Sequence, residues 1–72
     1  MKAIITPVAI KFYTSNALKQ DELLQVLMKD NIKYWENSDG YIVCELYTPY
    51  KLWTTLLTVC EHMKVEIVET QY

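Results

Sequence analysis

Hydrophobic positions along the chain switch between two periods, and each switch marks an element. From Val8 to Thr14 the segment VAIKFYT alternates, with Val8, Ile10 and Phe12 on one side and Ala9, Lys11 and Tyr13 on the other. Period two is the signature of a half-buried strand. The following stretch changes to helical spacing: Leu23, Leu24, Leu27 and Met28 form one apolar stripe, and Ser15 or Asn16 is placed to cap it. Asp21 and Glu22 sit early, where the helix dipole favours negative charge. The spacing predicts a helix over 17–30. The segments IKYWEN and YIVCELY read as strands on either side of NSDG, whose Asp39-Gly40 pair is a strong hairpin signal. In the second of these strands Ile42, Cys44 and Leu46 share one face, and Tyr41, Val43, Glu45 and Tyr47 the other. Thr48 and Pro49 read as the N-cap and first position of a second helix. Its apolar face is Leu52, Leu56, Val59, Cys60 and Met63, with Trp53 and Leu57 on the flank. In VEIVE, Val65 and Ile67 alternate with Glu66 and Val68 and predict a last strand. Pro7 cannot donate to a ladder, so residues 1–6 are expected as a frayed extension or a separate edge piece.

The order strand, helix, strand, strand, helix, strand predicts an α+β fold with the ferredoxin-like βαββαβ arrangement. Four antiparallel strands would form the sheet, the first and third of them central, and both helices would cover one face. A single domain spanning 1–72 is expected. Val8, Ile10, Phe12, Ile42, Cys44, Leu46, Val65 and Ile67 are then directed toward the helices, joined by Ile32 and Tyr34. Lys11, Tyr13, Trp35, Tyr41, Val43, Glu45, Tyr47, Glu66 and Val68 are directed away, onto an open face rich in tyrosine.

Size sharpens this picture. A chain of 72 residues has one small core, and natural domains of this size commonly add a disulfide, a metal or a second subunit. With 51% apolar and 22% charged residues it is composed as a folded domain. Nine acidic against seven basic side chains give a net charge of −2, which argues against affinity built on neutralising phosphates or anionic lipid. All seven basic residues are lysines, so bidentate arginine clamps on carboxylate, phosphate or guanine are excluded. Lysine without arginine is the coding style of A/T-rich genomes, among them many bacteriophages and low-GC bacteria. Neither a signal peptide nor a membrane span is read, and with two cysteines a reduced, cytoplasmic setting is expected.

Catalytic chemistry finds little to work with. Cys60 and His62 are two apart on a helix and face nearly opposite ways, so they cannot act as a pair. His62 reads as a solvated side chain near a helix C-terminus. Cys44 reads as a small buried hydrophobe. Glu45 and Glu66 are expected close together on the open face, as solvated carboxylates beside Lys11. No metal-ligand set and no Cys-x-x-Cys is present, and Gly40 as the sole glycine rules out a glycine-rich phosphate loop. No enzymatic activity, cofactor or metal is expected. Acylphosphatases share the topology and hold phosphate with an arginine, which is absent here.

In element order the chain resembles the RNA-recognition-motif family, whose first and third strands carry stacking aromatics. Residues 39–46, DGYIVCEL, fall where that family has its longer signature; Gly40 and Tyr41 fit it, whereas Asp39, Ile42, Val43 and Leu46 depart from it. Residues 12–16, FYTSN, are similar to the shorter signature, with Tyr13 as the stacking ring. The resemblance implies single-stranded nucleic acid as a ligand, against which stand the acidic balance and the missing arginines. The ACT family, regulatory domains of the same topology that hold a small metabolite at a dimer interface, supplies another reading.

The sequence is read as a small non-catalytic protein-binding module. Its binding face is Lys11, Tyr13, Trp35, Tyr41, Val43, Glu45 and Tyr47, and Val65, Glu66, Ile67 and Val68 form a sheet edge open to strand addition. The expected partner is a protein, either a host factor or a second copy of the chain in a homodimer. Nucleic acid and membrane are not expected as partners. Coding style and size suit a phage- or mobile-element-encoded modulator or inhibitor of a host protein.

Overall fold

The departure from the local pattern begins at Pro7. In the computed structural model, which describes residues 1–71, Thr6 and Ala9 close a tight turn around Pro7 and Val8. The Thr6 amide donates to the Ala9 carbonyl at 2.9 Å, and the Ala9 amide donates to Thr6 Oγ at 3.0 Å. Proline presets the backbone for this turn position. The turn folds strand β1 (Lys2–Ile5) back along β2 (Ala9–Tyr13) as an antiparallel hairpin pairing Ile5 with Ile10 and Ala3 with Phe12. Residues 1–6 are therefore neither frayed nor an edge piece. Ala3 and Ile5 are fully buried, and β1 is an interior strand.

Helix α1 (Ala17–Lys29) follows, then β3 (Trp35–Glu36), β4 (Ile42–Glu45), α2 (Pro49–His62) and β5 (Glu66–Thr70). The sheet order is β3-β4-β2-β1-β5. The pairs β1–β2, β2–β4 and β3–β4 are antiparallel, and β1–β5 is parallel. This corrects the expectation of a ferredoxin-like, four-stranded antiparallel sheet: the sheet is mixed and has five strands. Taking β1 out leaves β3-β4-β2-β5, the order expected from the sequence, so the N-terminal strand is inserted between the two strands that would otherwise have been neighbours.

Each helix starts and stops where its own residues dictate. Asn16 is the N-cap of α1, and its Oδ1 accepts from the amides of Leu18 at 3.0 Å and Lys19 at 3.2 Å. At the other end Asn31 adopts φ 55°, with its amide bonded to the Met28 carbonyl and that of Ile32 to the Leu27 carbonyl, which satisfies two helix-end acceptors. Thr48 caps α2 through its Oγ, which accepts from the Lys51 amide at 3.3 Å, and Pro49 occupies the position where a missing N–H costs nothing. Asp21 and Glu22 lie beyond the first turn of α1, outside the range where the dipole acts most strongly.

Both helices pack on one sheet face. Ala3, Ile5, Ile10, Phe12, Ile42, Cys44 and Leu46 from the sheet meet Leu23, Val26 and Leu27 of α1 and Leu52, Leu56 and Val59 of α2 in one core. Burying a side chain such as Phe12 or Leu27 contributes roughly 1.5–3 kcal/mol, so these few residues dominate the stability. Ile32, Tyr34, Leu24, Met63 and Val65 pack partly buried around the rim. Four residues expected in the core are displaced from it. Val8 is 49% exposed because it occupies the turn rather than the strand, and Ile67 lies half exposed on the edge strand β5. Met28 and Cys60 each follow a buried residue, Leu27 and Val59, and are turned about 100° from it, into solvent.

Candidate functional site on the outer sheet face

The face turned away from the helices is built row by row by the strand register. Residues paired across a sheet share a face. One row crosses all five strands as Trp35, Val43, Lys11, Ile4 and Glu69. A second contains Tyr13, Lys2 and Glu66, and a third pairs Ala9 with Glu45. Tyr41, just before β4, brings its ring to 5.4 Å from that of Tyr13 at an interplanar angle of 45°, within the range of favourable tilted aromatic pairs.

The hairpin between β3 and β4 positions Tyr41. Asn37 Oδ1 accepts from the amides of Asp39 and Tyr41, both at 3.0 Å, the Gly40 amide donates to the Asn37 carbonyl at 3.1 Å, and Gly40 takes φ +84°. An added Cβ at Gly40 would meet only Tyr13 Cε2 at 3.9 Å, so the glycine is required by its backbone angle rather than by lack of space. The Asp39-Gly40 signal is thus realised as a turn whose left-handed residue directs the chain back into β4.

The residues expected to bind a partner share this face, with different accessibilities. Trp35 is 50% exposed, Tyr47 72% and Tyr13 39%, while Val43 is only 3% exposed. Val43 points outward as its alternation predicts, yet its neighbours cover it, so it forms the floor rather than the contact surface. Above this floor lies a cleft of about 450 Å³ lined by Ala9 and Val43, by Val8, Trp35 and Tyr47, and by Lys11 and Glu45. Sequence reasoning missed Ala9 and Val8 as parts of this site. The placement of Ala9 beside Lys11 in the alternation carried the signal for the first; Val8 enters only through the turn.

Electrostatically the face is mixed. The Tyr47 hydroxyl donates to Glu45 Oε2, and this hydrogen bond, together with the carboxylate charge, raises the Tyr47 pKa above its ordinary value of 10.0. Glu45 and Glu66 do not meet: β2 and β1 separate their strands, a distance of at least three strand spacings, or about 14 Å. Lys11 stands on β2 between them.

The predicted edge is an edge. β5 lies at the end of the sheet, residues Glu66 to Thr70 are all exposed, and Ile67 and Val68 are each about half exposed. Val65 precedes the strand and is partly buried against the core. The β1–β5 register shifts between Ala3 and Ile4, which interrupts the regular ladder at this edge. On α2, Tyr50, Trp53 and Leu57 form a further exposed group. Among the described residues, no group of three or more His, Cys, Asp or Glu is arranged to hold a metal ion, and no helix is long and apolar enough to cross a membrane. Comparison with family models, with curated proteins and with solved structures gives no match for this chain.

Proposed function

We propose that the chain is a non-catalytic binding module whose partner is a second protein, gripped by the outer sheet face. The observation that carries this reading is the cleft over Ala9 and Val43. Exposed Trp35 and Tyr47 flank an apolar floor, Lys11 and Glu45 also line it, and no helix covers it among the described residues. An apolar pocket ringed by aromatic and charged groups is the local chemistry that accepts an anchoring side chain of a protein partner. Binding there would modulate or inhibit the partner by occupying its surface, in keeping with a mobile-element origin. The open edge of β5 offers a neighbouring strand additional main-chain hydrogen bonds.

Single-strand binding is the weaker reading for a reason of charge. On this face Lys2 and Lys11 are met by Glu45, Glu66 and Glu69, so no continuous positive track follows the aromatics. A fluorescent oligonucleotide at low ionic strength is expected to show no salt-dependent binding at tens of micromolar.

The test is affinity capture from host lysate with the intact chain and with a Trp35→Ser, Tyr47→Ser variant. Both residues are exposed, so the variant should keep its circular dichroism spectrum and unfolding midpoint while losing the captured protein. Undiminished capture by a folded variant would reject this face as the binding surface.

A further inference from the structure

A second cavity, of about 540 Å³, opens on the other side of β4, between α2 and the segment that follows α1. Thr48, Lys51, Thr54, Thr55 and Thr58 line it from the start and one flank of α2, and Lys33 faces them from the segment before β3. The threonines are not equivalent. Thr54 Oγ donates to the carbonyls of Tyr50 at 2.9 Å and Lys51 at 3.1 Å, and Thr58 Oγ donates to the Thr54 carbonyl at 2.9 Å. Such back-bonding to the preceding turn is the ordinary way a helical threonine satisfies its hydroxyl.

Thr55 does otherwise. It is 5% exposed, the one buried polar residue among those described, and its hydroxyl has no hydrogen-bond partner among the described residues. Yet no buried side-chain oxygen or nitrogen is sealed off without a partner among the described residues. The two facts together place the Thr55 Oγ at the surface of the cavity that the residue lines, with its proton free to donate.

The surroundings specify what would accept that proton. The first turn of α2 carries the partial positive charge of a helix N-terminus, and Lys51 and Lys33 add two ammonium groups. Asp30 and Glu45 also line the cavity, and Glu45 is already engaged by the Tyr47 hydroxyl. Two carboxylates balance the two ammonium groups, which disfavours an extended polyanion and favours one oxyanion group held locally by Lys51 and the Thr55 donor. We propose that this cavity binds a small molecule through one oxyanion group, a carboxylate or a phosphate monoester. The group sits on the flank of α2 where Lys51 and Thr55, one turn apart on the same face, both line the cavity, with Lys33 lining it from the segment before β3. This site adjoins the outer-face cleft, with which it shares Glu45 and Tyr47, but neither Lys51 nor Thr55 belongs to that cleft.

The experiment is a titration of the full ¹⁵N-labelled chain followed by amide shifts, with sodium acetate, with sodium phosphate, and with sodium chloride at matched ionic strength. Saturable shifts centred on Lys51, Thr55 and residues 31–33 are expected with at least one oxyanion and not with chloride. Saturation by acetate alone assigns a carboxylate, and saturation by phosphate alone assigns a phosphate. Lys51→Met removes an exposed charge and Thr55→Val keeps the shape of the side chain, so both variants should fold; each is expected to raise the titration midpoint at least tenfold. Shifts that follow chloride for both oxyanions would overturn the proposal, as would saturable shifts that neither substitution affects.

Discussion

The two cysteines show how far a single position depends on its neighbours. Cys44 is buried on β4, and burial pushes its thiol from an ordinary 9.0 up to about 12; Cys60 is exposed on α2. With the native chain at pH 8, a thiol reagent is expected to label Cys60 readily and Cys44 only on unfolding; equal rates would contradict the core assignment. The sign for stability follows from the same shift. Above pH 9 the unfolded chain releases the Cys44 proton while the folded chain retains it, so this contribution is complete below pH 9 and declines as pH rises toward about 12. The slope is at most about 1.4 kcal/mol per pH unit. Urea midpoints at pH 8 and pH 10 should therefore fall more for the natural chain than for Cys44→Ala. Tyr47, raised by its bond to Glu45, acts in the same direction above its ordinary 10.0. Val43 is the other instructive residue, since alternation correctly turned it outward but could not show that it is covered. Val43→Asp would bury a carboxylate and is expected to cost several kcal/mol in urea unfolding, against less than about 1 kcal/mol for Trp35→Ser.

At the scale of elements, what the sequence revealed was whatever depends on near neighbours. Asn16 and Thr48 as caps, Pro49 as the first helical position, the Asp39-Gly40 turn and the inward set Ile10, Phe12, Ile42, Cys44 and Leu46 all follow from a few adjacent residues. The strand β1 did not, because what makes it interior is pairing with β5, more than sixty residues away along the chain. Thr6-Pro7 looks locally like a boundary but is a hairpin turn, and that one turn both buries residues 3 and 5 and expels Val8. Along the helices, Met28 and Cys60 extend the apolar stripe in sequence, yet a turn of about 100° per residue puts them past its edge. Deleting residues 1–6 is accordingly expected to abolish cooperative unfolding, since it removes two buried residues and the strand that β5 pairs with among the described residues. The milder Ile5→Ala should cost about 2–5 kcal/mol in a chemical denaturation curve. A deletion variant with an unchanged midpoint would mean that β1 is dispensable. Replacing Asn16 with Ala should cost about 1 kcal/mol by the same measurement, the usual worth of an N-cap.

At the scale of the molecule, one sheet separates two kinds of surface. Its inner face is sealed by α1 and α2, and its outer face keeps aromatic rings at the solvent boundary over a small apolar floor. The candidate face was legible in outline, because period-two alternation sorts Lys11, Tyr13, Val43, Glu45 and Tyr47 to one side. Its shape was not, because the cleft depends on Val8, Ala9 and Trp35 coming together from a turn and two strands. The threonine-lined cavity was missed altogether, although Thr48, Lys51, Thr55 and Thr58 recur at helical spacing. Hydroxyl-radical footprinting of the chain, alone and bound to the protein it captures, tests the central claim most directly, since aromatic side chains report on both surfaces. The expected result is oxidation of Trp35, Tyr47 and Tyr13 in the free chain and their shielding in the complex, with Tyr50 and Trp53 on α2 oxidised in both. Shielding confined to Tyr50 and Trp53, with Trp35 and Tyr47 still oxidised, would contradict it.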